Sequence, residues 1–140
     1  MIIELISAAI GTIAFSLLFG VPKAYYLPCG AIGAAGWLMY RLMLLANIGT
    51  TFAVFFATVV IVLLSRFTAV RKKCPSTIFM ITGIFPLVPG AKFYWAAYYL
   101  VTNQIQDFQT SGMGALKIMI AIVLGIIFVF ELPHKFFRGR

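Results

Sequence analysis

The chain is poor in the residues on which soluble enzymes rely. Of its 140 residues three are acidic (Glu4, Asp107 and Glu131), one is histidine (His134) and two are cysteine (Cys29 and Cys74). General acid–base chemistry therefore has little to work with, and no nucleophile stands beside a candidate base. Two cysteines so far apart make neither a disulfide framework nor a metal site, which needs Cys or His ligands at short spacing. The sequence predicts no enzyme, no metal and no cofactor. Charged residues are also scarce, at 10% of the chain where soluble domains carry about 25%, while apolar residues reach 63%. That balance excludes a water-soluble fold. The 11 Lys and Arg give a net charge of +8, which in a soluble chain would suggest a nucleic-acid partner. No basic run here is both long and interleaved with aromatics in a water-exposed segment, so nucleic acid is not expected.

Long apolar stretches are what the chain has in quantity. Its mean hydropathy is +1.06, and about 20 apolar residues suffice for one helical crossing of a bilayer. The pattern predicts an all-α integral membrane protein with five transmembrane helices, at about 2–21, 27–46, 48–65, 78–101 and 112–132. The first stretch has no basic leader, only Glu4, and is too long for a cleaved signal, so it reads as a retained helix. The connections are too short for a linker between domains. One bundle over 1–140 is expected, its neighbours antiparallel. Pro22 ends the first helix, and Asn47 and Gly49 make a tight turn.

Basic residues set the expected orientation, because Lys and Arg in short loops stay on the cytoplasmic side. Lys23, Arg66, Arg71, Lys72, Lys73, Lys135, Arg138 and Arg140 fall on one side, and Arg41 and Lys117 on the other. The amino terminus is then outside and the carboxyl terminus inside, with the polar segment 102–111 external. Arg71, Lys72 and Lys73 set this topology and contact anionic lipid.

The fourth span carries the functional expectation. Its run GIFPLVPGAKFY at 83–94 holds Pro86, Pro89 and Gly90. The two prolines free the carbonyls of Thr82 and Phe85, four residues upstream, and Gly90 allows angles closed to other residues. A break in lipid is tolerated only where it faces protein or a wet cavity, and transporters place substrate at such discontinuous helices. A second half-helix starting near Pro89 would present the N–H groups of Gly90, Ala91 and Lys92 without intrahelical partners, at the positive end of its dipole. Lys92 lies roughly 21 Å from the cytoplasmic start of this span and roughly 14 Å from its other end, near the middle of the membrane. It reads as the countercharge for a substrate carboxylate, against the alternative that it snorkels or pairs with an acid of a neighbouring subunit. Tyr94 is the aromatic nearest the break. The substrate-binding set predicted here is Thr82, Phe85, Pro86, Pro89, Gly90, Ala91, Lys92 and Tyr94.

Other features read more simply. Gly30, Gly33 and Gly36 crowd the second span with small residues that permit close helix approach, and Ser7–Gly11 and Ala121–Gly125 repeat the spacing. Arg41 is close enough to its span end to snorkel. Glu4 and Glu131 sit near span ends, where a cavity reaching them could involve them in proton transfer.

The run at residues 64–100, LSRFTAVRKKCPSTIFMITGIFPLVPGAKFYWAAYYL, together with LPCGAIGAAGW at 27–37, resembles the second membrane domain of the threonine/serine exporter family. The PLVPG run after a basic loop is the most specific part. The resemblance implies a five-helix half that works with another half, fused or supplied by a separate membrane protein. It implies export of threonine and serine or, in split members, of dicarboxylates, driven by the proton gradient across a bacterial cytoplasmic (inner) membrane. Lys92 stands where the family pattern leads one to expect a small or uncharged residue. The odd span count fits an inverted pair of halves with the site at their interface, and association with further copies of the same chain is a second arrangement. The competing reading is a non-transporting structural or assembly subunit of a membrane complex.

Overall fold

The computed structural model describes residues 2–131. His134, Lys135, Arg138, Arg140 and Leu132 at the end of the expected fifth span lie outside the described residues. The described chain is helical, with no strand: α1 (Ile2–Leu18), a 3-10 turn (Lys23–Tyr25), α2 (Tyr26–Leu45), α3 (Thr50–Lys72), α4 (Thr77–Ile84), a second 3-10 turn (Phe85–Leu87), α5 (Gly90–Val101) and α6 (Ile105–Phe130).

By length and apolarity α2, α3 and α6 can each cross a membrane, and α4 with α5 makes a fourth crossing if the bent pair counts as one. The first of the five expected spans is shorter than its apolar sequence suggests. α1 has 17 residues, about 25 Å of rise. Its end is set by Gly20 in the left-handed region (φ +75°), which lets Gly20 N–H donate to Leu17 O at 3.1 Å and Val21 N–H to Ser16 O at 2.9 Å. This Schellman arrangement satisfies carbonyls that the helix leaves open. Asn47, Lys73 and Asn103 take the same backbone conformation at the ends of α2, α3 and α5.

Two boundaries differ from expectation. α3 continues through Arg66 to Lys72, so Arg66 is a helical residue and not part of a basic loop. α6 begins at Ile105 with Asp107 in its first turn, where a carboxylate complements the helix dipole. The expected external segment 102–111 shrinks to the turn Thr102–Gln104.

Small residues hold the bundle together. A side chain at Gly30 would meet Ile13 Cδ1 at 2.8 Å, and one at Gly33 would collide with Thr12, so α1 and α2 pack almost backbone to backbone. Gly36 and Gly83 admit Ile61 from α3, and Gly125 of α6 admits Thr58. Thr58 against Gly125 and Arg66 against Val129 make α3 and α6 run in the same direction. The bent pair between them therefore joins the end of α3 to the opposite end of the bundle, where α6 starts. The glycine-rich second span is thus a packing seam, as its sequence suggests. Ser7 and Gly11 are different: nothing lies within 4 Å of a side chain at Gly11, and the two line an open groove. Hydroxyls inside the bundle return to their own helices. Thr12 donates to Ala8 O at 2.7 Å, Ser16 to Thr12 O at 2.9 Å, Thr58 to Val54 O at 2.8 Å and Ser65 to Ile61 O at 2.7 Å.

Gly33→Val should lower the stability of the protein in detergent by about 1–3 kcal/mol through overpacking against Thr12. Gly112→Ala, where nothing lies within 4 Å, should leave stability unchanged or raise it by up to about 1 kcal/mol. Unfolding midpoints of both variants check this, and wild-type stability of the Gly33 variant would contradict so tight a seam.

Candidate functional site

The chain does break where the prolines stand. α4 with its 3-10 extension, Thr77–Leu87, meets α5 at 55°. Pro86 lies in the 3-10 turn, where Val88 N–H donates to Phe85 O at 3.1 Å, and Val88 itself is extended (φ −63°, ψ 130°). Pro89 (φ −81°, ψ 63°) then forms an inverse γ-turn, with Gly90 N–H donating to Val88 O at 2.8 Å, before Phe93 N–H picks up Pro89 O at 3.1 Å and α5 begins.

This geometry corrects the expected pattern of free groups. The carbonyl of Phe85 is taken by Val88, and the N–H of Gly90 is taken by the γ-turn. The N–H groups of Ala91 and Lys92 have no hydrogen-bond partner among the described residues. Two donors at the head of α5, not three, are open to a ligand.

Ala91 and Lys92 border a cavity of about 220 Å³. Pro86, Pro89, Ala91 and Lys92 line it from the break, Trp37 and Tyr40 from α2, and Thr50 and Val54 from α3. Its size is below the roughly 300–1,000 Å³ of sites for drug-sized molecules, which fits a metabolite of a few heavy atoms. Lys92 runs along α6, with its Nζ 3.4 Å from the position a Cβ at Gly114 would take, an ordinary contact distance. Gly114 is one turn before Lys117, and Lys117 shares a groove with Thr51 near the start of α3. Lys92 is thus level with one end of the bundle. The reckoning that put it at mid-depth assumed a straight span, and the bend invalidates it.

Half of the predicted site residues meet at this cavity. Of the others, Gly90 is exposed at the bend. Thr82 is buried and donates its hydroxyl to Ile78 O at 2.9 Å, so it has no proton left for a substrate. Phe85 stacks on Phe15 of α1, with ring centroids 4.3 Å apart. Tyr94 is exposed and packs edge-on against Trp95. Sequence reasoning missed Trp37, Tyr40, Thr50 and Val54, because they come from two other helices and only the packing brings them to the break.

Trp37 is the most informative of these. Its indole Nε1 is buried without a hydrogen-bond partner, a rare condition for a donor. The ring walls two cavities at once. The second, about 330 Å³, extends along α1 past Glu4, Ser7 and Gly11 and shares Trp37 and Pro86 with the first. Glu4 lies 3.4 Å from Arg41 Nε at that end, an ion contact between α1 and α2 that is not aligned as a hydrogen bond. A larger groove of about 360 Å³ between α3 and α6 is walled by Phe52, Phe55, Ile120 and Leu124, with Lys117 the one cation among its lining residues. It lacks the converging donors of the break. No group of His, Cys, Asp and Glu suited to a metal occurs among the described residues.

Trp37→Phe keeps the apolar wall and removes the orphan donor. It should leave stability within about 1 kcal/mol of wild type or raise it and weaken the binding of a carboxylate or hydroxyl ligand by about 5–10-fold. Ligand titration of purified protein checks it, and unchanged affinity would place the indole outside the site.

Comparison with known proteins agrees with the sequence resemblance. Residues 4–131 match the family described as Threonine/Serine exporter, ThrE. An uncharacterized protein of Haemophilus influenzae (strain ATCC 51907 / DSM 11121 / KW20 / Rd) is 32% identical over 140 residues, covering 96% of this chain and 46% of the relative. The chain thus spans just under half the length of that relative. No solved structure matches it. A chain of apolar helices with a proline-broken pair, matched to that family along nearly its whole length, belongs to the threonine/serine exporter family.

Proposed function

We propose that this chain is one half of a secondary transporter that exports small carboxylate-bearing metabolites, threonine and serine or a dicarboxylate, and that it holds the substrate carboxylate at the broken traverse. The observation that supports this reading is one cavity lined by Ala91 and Lys92 at the head of α5 and by Trp37, whose indole N–H is buried without a partner. No acidic residue is among the cavity's lining residues. Such a site favours a negative group, and charge-assisted hydrogen bonds give it the strongest grip.

The protein acts in the bacterial cytoplasmic membrane. Lys23, Arg71, Lys72 and Lys73 gather at one end of the bundle, which we place on the cytoplasmic side; the break then faces the outer half of the bilayer. A second membrane protein supplies the other half of the exporter. The exposed aromatic face of α5 supports this, where Phe93, Tyr94, Trp95 and Tyr98 face outward from the bundle. The same face supports a second reading, that of an assembly subunit whose work is docking alone.

Efflux of labelled threonine, serine and a C4 dicarboxylate from cells expressing the chain with its partner half separates the two. Lys92→Gln should slow efflux of the transported solute by at least about tenfold, the loss of one charged hydrogen bond. Gly114→Leu, which fills the space along which Lys92 lies, should do the same without altering the charge. Equal efflux in both variants would remove Lys92 from the site, and no efflux of any of these solutes by the wild type would favour assembly.

A further inference from the structure

The groove between α3 and α6 is apart from the break and is polarised along its length. It measures about 360 Å³ and is walled by Phe52 and Phe56 from α3 and by Ile120 and Leu124 from α6. All four side chains are exposed, so the groove opens sideways from the bundle. Past Leu124 the two helices come together, where Phe55 meets Phe128 edge to face with ring centroids 6.1 Å apart and Thr58 packs on Gly125. At the other end stands Lys117, the one cation among the lining residues, which include no acid.

Nothing inside the protein neutralises Lys117. No ion pair or hydrogen bond of its ammonium occurs among the described residues. Of the three acids, Glu4 lies against Arg41, while Asp107 and Glu131 stand at the two ends of α6, roughly 15 and 21 Å from Lys117 by helical rise. The seam fixes its level. α3 and α6 run in the same direction, and Lys117 stands eight residues before Gly125 as Thr50 does before Thr58. The charge is therefore level with the head of α3 and the turn that precedes it. From there the apolar walls run about 10 Å toward the middle of the bundle, as far as Leu124. A charge at a helix end with a hydrocarbon-lined channel beneath it matches the profile of one lipid leaflet.

We propose that this groove seats one acyl chain of an anionic phospholipid, with the lipid phosphate at Lys117. A 10 Å stretch of α-helix about 10 Å across fills roughly 800 Å³, more than twice the groove, so a partner helix does not fit inside it. A single hydrocarbon chain is narrower and does. The unpaired ammonium selects a negative headgroup, whereas a zwitterionic one brings its own cation to the phosphate and gains less. The assignment needs only that the bundle lies in a bilayer, and it would hold in a chain that transported nothing.

The test uses the full chain purified in neutral detergent, with its unfolding midpoint followed during titration with phosphatidylglycerol or phosphatidylcholine of the same chain length. Phosphatidylglycerol should raise the midpoint saturably, at concentrations where phosphatidylcholine does not. Lys117→Gln should need at least about fivefold more phosphatidylglycerol for the same rise, the loss of one cation at a lipid surface. Ile120→Trp fills the groove from an exposed position and should need as much, with every charge kept. Both positions are exposed, so without lipid both variants should unfold at the wild-type midpoint. Lys23→Gln removes a charge at the opposite end of the bundle and should titrate as the wild type does. An equal response to phosphatidylcholine, an unaltered titration of either groove variant, or an equal effect of Lys23→Gln would overturn the assignment. So would a concentration-dependent dimer that Ile120→Trp abolishes, which would give the groove to a second copy of the chain.

Discussion

Everything in this fold answers to one constraint, that a backbone or side-chain donor inside an apolar bundle must find its acceptor within the protein. The helices meet it by ordinary means. Left-handed residues close the ends of α1, α2, α3 and α5, and Thr12, Ser16, Thr58, Ser65 and Thr82 return their hydroxyls to carbonyls one turn back. Not every donor is satisfied in this way: the first N–H groups of the helices stay open, as at any helix head, and Trp37 Nε1 and Arg41 Nε are buried without a hydrogen-bond partner. Ala91, Lys92 and Trp37 line the same small cavity although they come from different helices.

The break exists because of two prolines, but its shape comes from how the freed groups are reused. Pro86 is absorbed into a 3-10 turn and Pro89 into a γ-turn, and each turn consumes a group that counting missing hydrogen bonds alone would leave free. What remains open lies on the α5 side of the bend. Glycines elsewhere make this arrangement possible. Gly36 and Gly83 let Ile61 in between α2 and α4, which draws α4 against the bundle and leaves the break facing Trp37 and Val54.

Much of this was legible in the sequence. The helical class, the seam at Gly30, Gly33 and Gly36, and the interruption at PLVPG follow from composition, spacing and the chemistry of proline. Three things were not. The continuation of α3 past Arg66 and the start of α6 at Ile105 were hidden, because a single charge can be buried when a carbonyl such as that of Val129 receives it, and because polar residues from Ile105 onward still make good helix. The depth of Lys92 depended on an angle that no local pattern encodes. The walls contributed by Trp37, Tyr40 and Thr50 required knowledge of which helices are neighbours, and that is settled by packing between segments far apart in the chain.

The two halves of the broken traverse are held very differently. α4 is buried among α1, α2 and α3, while α5 leans chiefly on α6 and buries only Ala96 among its residues. The well-braced half carries Thr82, fully bonded and closed to ligand; the sparsely braced half carries Lys92 and the open N–H groups. The pivot between them is Val88–Pro89, in the cavity wall itself. α5 meets chiefly α6, so a displacement of α5 costs fewer buried contacts than one of α4. A site in which the binding donors ride on the less constrained element can alter its grip at small energetic cost. A break placed in the middle of a fully packed helix would lack that property, so the exposed, weakly held α5 belongs to the same design as the cavity beside it.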